Sequence, residues 1–474
     1  MRKSNLVACC TLVLAGSKLG CSTGGSSETQ ADAAPVLDAS SEDEGATDTS
    51  DGGHDADASS AMCVRGLDTT ISTTETSEVT TVLAKGTDSL FVGRRLLSYA
   101  GDCPWIQPYT VLAQAKTGTL TDSEFNRLCV APPGSYWAKQ WEARSIAYSA
   151  TTDQVALTGS GDYIFVASVS GADPRWTTKS QQTPDALKWG VFPTNELDDP
   201  PGSPVGQQAY GSAIDGARVR VVGNNAANEG LSLLFEDGES GIGAALVAKS
   251  SVENRIKTFY SIAVAPAGVA YAIGVTQAGN PGVVKLTASN AVDEAFGNKG
   301  LVTLAGSSTT GAGVAVSPSG HVIVLASHEA GDLVLTKIDQ GGVIDTTFGE
   351  SGSRTIPLIH PFGRHLDVGI GSDSSIFVGG LARNSDGIPN RGALARVLPT
   401  GVLDPSYGVG GIAAAPLFSQ KDGKAPNRVL LAITPNASPC TGHVTLFVGV
   451  DTDTPRPMND FGVTSYGYGY TFVP

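Results

Sequence analysis

"VIDTTFGESG", residues 343–352, recurs twice in altered form, as "AVDEAFGNKG" at 291–300 and "VLDPSYGVGG" at 402–411. Each copy reads Asp, two residues, an aromatic, Gly, two residues, Gly. The aromatics Phe296, Phe348 and Tyr407 stand 52 and then 59 residues apart. The phrase has the chemistry of a turn. Asp293, Asp345 and Asp404 are placed to accept backbone N–H bonds at its head. Gly297, Gly300, Gly349, Gly352, Gly408 and Gly411 permit positive φ where a side chain would clash. The aromatic is expected to pack between neighbouring repeat units. Because each Asp has the same local role in every copy, capping is preferred to metal ligation or catalysis.

A second phrase surrounds the first: a short apolar strand, a small polar turn, then a strand that ends in Gly or Ala. The endings fall at Gly93, Gly159, Gly223, Gly274, Ala326, Gly379 and Gly449, at intervals of 66, 64, 51, 52, 53 and 70 residues. Such a period suits four short strands with their turns, which is one propeller blade. A single blade has no core of its own, since it buries both faces against its neighbours. Residues 65–474 are therefore expected to form an all-β protein, a β-propeller. The seven endings suggest seven blades, with six or eight left open by the irregular early spacing.

The phrase resembles the delta-sixty family of β-propeller-like repeats, whose units end in this way after an "A-V-x-P-x-G" strand. That strand is present as "AVAPAG" at 263–268 and "AVSPSG" at 315–320. The resemblance is specific for residues 260–415 and weakens to "MNDFG" at 458–462. It implies a repeat architecture and no single activity.

The amino-terminal region concerns location. Arg2 and Lys3 precede "LVACCTLVLAG", eleven apolar or small residues, too short to span a bilayer. Residues 1–20 read as a secretory signal. "KLGC" at 18–21 resembles a bacterial lipobox, with Lys18 in place of the usual apolar residue, and marks Cys21 for lipid. Residues 22–64 hold ten Asp or Glu and no Lys or Arg, so residues 21–64 are expected to be a disordered acidic tether. A lipobox followed by such a tether resembles surface lipoproteins of Gram-negative bacteria, the myxobacterial type among them. This points to the outer membrane, or to a periplasmic or secreted protein if Cys21 carries no lipid.

Of the net charge of −15, +3 falls in residues 1–20 and −10 in 22–64, leaving −8 for residues 65–474. A mildly acidic surface argues against general nucleic-acid binding. The chain has no G-x-S-x-G elbow, no phosphate loop and no His pair at zinc-ligand spacing. The densest polar and aromatic cluster is "IHPFGRHLD", which carries His360 and His365. No cofactor, metal or catalytic residue is assigned. All five tryptophans fall early, at Trp105, Trp137, Trp141, Trp176 and Trp189. Of these, Trp105, Trp137 and Trp141 lie in long segments and are candidates for contact with a protein or glycan.

Cysteine parity adds a constraint. Cys9 and Cys10 leave with the signal, and with Cys21 lipidated four remain: Cys63, Cys103, Cys129 and Cys440. Of the three possible pairings, Cys103–Cys129 and Cys63–Cys440 are expected, the latter stapling the ring where the chain ends meet. There the Thr-rich stretch "TTISTTETSEVTT" at 69–81 can complete a sheet with the alternating "VTSYGYGYTFV". The function expected is that of a monomeric, membrane-anchored binding or scaffold module. An extracytoplasmic propeller enzyme, such as a quinoprotein-type sugar oxidoreductase or a lyase, is the alternative.

Overall fold

The computed structural model describes residues 70–72, 77–85, 88–95, 109–116, 126–130, 142–160, 163–170, 188–193, 208–225, 227–237, 244–251, 255–306, 311–327, 331–359, 366, 368–383, 389–414, 428–433, 444–451 and 465–472. These residues form antiparallel strands and turns, with no α-helix among them.

The first strand in the chain, β1 (Thr70–Ser72), pairs only at the far end of the sequence. Unit 1 is β2 (Ser77–Lys85), β3 (Asp88–Arg95), β4 (Tyr109–Lys116) and β5 (Asn126–Val130). Unit 2 is β6 (Glu142–Ser149), β7 (Gln154–Ser160), β8 (Tyr163–Ser170) and β9 (Lys188–Pro193). Unit 3 is β10 (Gln208–Asp215), β11 (Arg218–Asn224), β12 (Gly230–Asp237) and β13 (Ala244–Ser251). Unit 4 is β14 (Ile256–Val264), β15 (Ala270–Thr276), β16 (Pro281–Leu286) and β17 (Leu301–Thr303). Unit 5 is β18 (Gly311–Val316), β19 (Val322–Ser327), β20 (Asp332–Ile338) and β21 (Ser353–Ile359). Unit 6 is β22 (Val368–Ile370), β23 (Ile376–Arg383), β24 (Pro389–Val397) and β25 (Ile412–Ala414), joined to unit 5 by the single pair Ile359 with Leu381. Unit 7 is β26 (Arg428–Ile433), β27 (Val444–Asp451) and β28 (Ser465–Phe472), and its fourth strand is β1.

The first strands of the units, β2, β6, β10, β14, β18, β22 and β26, each lie against the next, and β26 returns to β2. Four-stranded units in a closed ring make a β-propeller. The closure is the one the Thr-rich stretch suggests, with Thr70 opposite Tyr470, Ile71 opposite Gly469 and Ser72 opposite Tyr468.

The core is a series of layers between units. Tyr271 and Ile273 of unit 4 meet Val314, Val322 and Val324 of unit 5. Ile323 and Leu335 of unit 5 meet Ile376 and Val378 of unit 6. Strands β15 and β19 are buried along their whole length, which explains their unbroken apolar runs.

Alternation of strand direction gives the ring two distinct ends. First-to-second and third-to-fourth connections gather at one, here the turn end. Second-to-third connections and the passages between units gather at the other, the crossover end. One expectation needs correction. "MNDFG" lies outside the described residues, in the segment joining β27 to β28. The three phrases join third strands to fourth strands, so it is no further copy.

Candidate functional site

Each phrase lies between a tight hairpin turn and a short outer strand. After β16 the chain turns at 287–290, and Val292 bridges back to Leu286. The phrase then bulges outward until Leu301 resumes pairing opposite Val284. The Asp carboxylate heads the bulge as expected. Asp293 accepts the N–H of Ala295 at 3.1 Å, Asp345 that of Thr347 at 3.1 Å and Asp404 that of Ser406 at 3.0 Å. The rings fill the junctions: Phe296 and Phe348 are each 1% exposed, in the layers between units 4 and 5 and units 5 and 6. Tyr407 is also buried, at 3% exposed, edge-on to Phe377 at 6.2 Å. The phrase glycines all have φ between 54° and 97°.

Sequence reasoning missed the partner of each Asp. Lys285 meets Asp293 at 2.9 Å, Lys337 meets Asp345 at 3.0 Å and Arg396 meets Asp404 at 3.2 Å. Each cation stands eight residues before its Asp, so the signal was in the sequence, blurred by the change from Lys to Arg. Arg396 also reaches Asp373 at 2.7 Å. The Thr347 hydroxyl and Lys337 hold the Asp345 carboxyl at about 2, and Lys285 holds Asp293 below its ordinary value. Ion pairs of fixed local role brace a turn.

Backbone links tie one repeat to the next. Gly297 N–H donates to Gly341 O at 2.9 Å and Gly349 N–H to Thr400 O at 2.8 Å. The first two phrases are thus each covered by the hairpin turn of the following unit. Unit 3 has no phrase, and Arg220 of β11 makes the link instead. Its guanidinium, 0% exposed, donates to Gly268 O at 2.7 Å, Thr287 O at 3.0 Å, Ala288 O at 3.0 Å and Asn290 Oδ1 at 2.8 Å. Burial lowers its pKa, and Arg218 nearby lowers it further.

The crossover end has a different feature. Four first strands carry a bulge near their start, which leaves Thr80, Arg144, Tyr210 and Tyr260 as the extra residues. A bulge re-aims the side chain it releases. Arg144 lies over the Tyr210 ring at 5.2 Å, and Tyr210 meets Tyr260 edge-on at 6.3 Å. Arg144 donates to Gln208 Oε1 at 2.9 Å, and the Tyr210 hydroxyl donates to the same oxygen. Ser212 reaches Ser145 across the same junction at 2.9 Å. The row runs across three successive inner strands and braces them at one end of the ring. No common residue type marks it, because the four bulge positions hold Thr, Arg, Tyr and Tyr.

Among the sequence-predicted residues, Cys21, Cys63, Cys103, Cys440, Trp105, Trp137, Trp141, His360 and His365 lie outside the described residues. Cys129 is placed only by its backbone in β5, opposite Val111. The strand ends flanking Trp105 are Arg95 and Tyr109, and those flanking Trp137 and Trp141 are Val130 and Glu142. All four belong to the crossover end, as do the ends flanking His360 and His365. Among the described residues, no three His, Cys, Asp or Glu side chains group as metal ligands.

No family model matches the chain, and no curated protein does. Solved structures similar to it include the RRP9 WD40 repeats, at 9% identity over 86% of this chain and 99% of that one, with a TM-score of 0.47. The WD40 β-propeller domain of Doa1 is similar at 10% identity over 85% and 96%, with a TM-score of 0.45. The β-propeller domain of Myceliophteria thermophila Cps50 is similar at 9% identity over 84% and 99%, with a TM-score of 0.45.

Proposed function

We propose that this chain is a membrane-anchored, extracytoplasmic binding or scaffold module that presents its crossover end to a protein or glycan partner. The observation that carries the reading is the convergence at that end. The bulge row of Arg144, Tyr210 and Tyr260 stiffens the inner strands there, and the strand ends that flank Trp105, Trp137 and Trp141 in the sequence lie at the same end. A ring braced at that end suits recognition, since the scaffold loses little freedom when a partner binds.

Location rests on the basic start, the short apolar run and the lipobox-like "KLGC". Lipid on Cys21 would hold the protein at the outer membrane through an acidic tether. Replacing Cys21 with Ala should move the protein from the membrane fraction to the soluble one. Equal membrane association of both forms would place the anchor elsewhere.

Binding is tested by cross-linking on intact cells together with capture on immobilised xylan, chitin and dextran. The Trp105→Ala, Trp137→Ala, Trp141→Ala triple variant should lose most of the captured material while keeping its unfolding midpoint. Undiminished capture by that variant would remove the crossover end as the binding surface.

A further inference from the structure

Unit 7 differs from the other units in how its outer strand is held. In units 1 to 6 the fourth strand follows the third in the chain, so it is tied covalently to its own sheet. In unit 7 the third strand is β28 and the fourth is β1, from the two ends of the sequence. β1 meets β28 at three residue pairs, whereas β27 meets β28 at eight. The strand that closes the ring is held to its sheet by that short ladder.

The passage from β1 to β2 supplies a second observation. Residues 73–76, TTET, join the two strands, and neither Gly nor Pro occurs from Thr70 to Lys85. Of those sixteen residues, nine are Thr, Val or Ile, the types that favour extended backbone. Five of the other six passages between units contain Gly or Pro. The sixth, 252–255, leads out of β13, which follows β12 within its own unit. Between β1 and β2 the chain must reverse, because a fourth strand and the next first strand run in opposite directions. Local preference favours the straight alternative, with β1, the passage and β2 in one extended strand.

We propose that β1 is exchanged between two copies of this chain, each donating Thr70–Ser72 to β28 of the other. The exchanged dimer keeps the pairing of the closed ring, with Thr70 opposite Tyr470, Ile71 opposite Gly469 and Ser72 opposite Tyr468. Only the passage changes, from a reversal to an extended link. The cost of exchange therefore falls on four residues whose composition suits the extended form. The partner is a second copy because unit 7 is completed by this strand in this register, and reciprocal donation closes the assembly at two. The inference rests on the ring closure and is independent of the membrane and crossover-end readings.

The test mixes two single variants of the full chain, one carrying Ser72→Cys and the other Tyr468→Cys. The mixture is warmed, cooled and mildly oxidised. Residues directly opposite in an antiparallel pair are close enough for a disulfide. A link between position 72 of one copy and position 468 of another is expected from peptide mapping of the dimer fraction. Thr73→Gly with Glu75→Gly in the parent chain should weaken dimerisation about tenfold in sedimentation, since glycine disfavours the extended link and tolerates the reversal. The glycine variant also decides the matter where the cysteine variants fail to fold. A chain carrying both Ser72→Cys and Tyr468→Cys is the control. A link within that chain, with none between copies in the mixture, overturns the proposal. A parent chain that stays monomeric at every concentration, a dimer formed without the 72–468 link, or equal dimerisation by the glycine variant overturns it as well.

Discussion

At the scale of single residues, Arg220 shows how a charge can be buried without a carboxylate in contact. Its hydrogen bonds go to three carbonyls and one amide oxygen, and Asn290, which supplies the amide, has φ 67°. Gly342 and Gly401 occupy the same turn position in the next two units. Asn tolerates that conformation and adds the acceptor Arg220 needs. Replacing Arg220 with Met keeps the length of the side chain and strands four acceptors. A loss of about 3 kcal/mol is expected from chemical denaturation. Asp345 gives a pH signature. Its carboxyl is held at about 2, below its ordinary value, so its stabilisation is complete above about pH 4 and is lost as pH falls through about 2. Denaturation midpoints between pH 5 and 2 should fall less steeply for Asp345→Asn than for the parent chain.

At the scale of strands, bulges explain four of the six Gly endings. Gly93, Gly159, Gly223 and Gly274 all stand opposite the bulged position of a first strand. A Cβ on Gly274 would lie 2.0 Å from Thr258 O, and one on Gly223 would lie 1.7 Å from Gln208 O. Strand β18 has no bulge, and its partner position is Ala326. Changing Gly274 to Ala should therefore cost about 3 kcal/mol by forcing the bulge apart. Ala326→Gly, where there is no bulge, should cost under about 1 kcal/mol. Thermal unfolding of the two variants checks the contrast. The endings were legible because a steric demand selects one residue type. The bulges were not, since Thr80, Arg144, Tyr210 and Tyr260 share a place in the ladder and no single residue type. The phrase was legible for the same reason as the endings. Arg220 was not, because one residue replaces a whole phrase and leaves no repeat to find.

At the scale of the whole molecule, the ring is closed by three residue pairs between β1 and β28. Thr70, Tyr470 and Leu446 lie in one line across unit 7. Cys63 is seven residues before Thr70 and Cys440 six before Leu446, and both segments leave from the turn end. Both cysteines lie outside the described residues, yet the register brings their flanking strands together. A Cys63–Cys440 disulfide and a Cys103–Cys129 disulfide are expected from non-reducing peptide mapping. A Cys63–Cys103 link, or free thiols at Cys63 and Cys440, would exclude the staple.

The short β1 also decides how the ring takes force. Were the chain held at a membrane through Cys21, as proposed, drag on a captured partner would enter the ring at Thr70. With the two cysteines reduced, only the three-residue strand resists, and it peels from β28 as a mechanical fuse while β26–β28 stay paired. With Cys63 joined to Cys440, tension would bypass β1 and reach the link between β26 and β27, which are held together by six residue pairs. The same ring is then a breakable coupling in its reduced form and a mooring in its oxidised one.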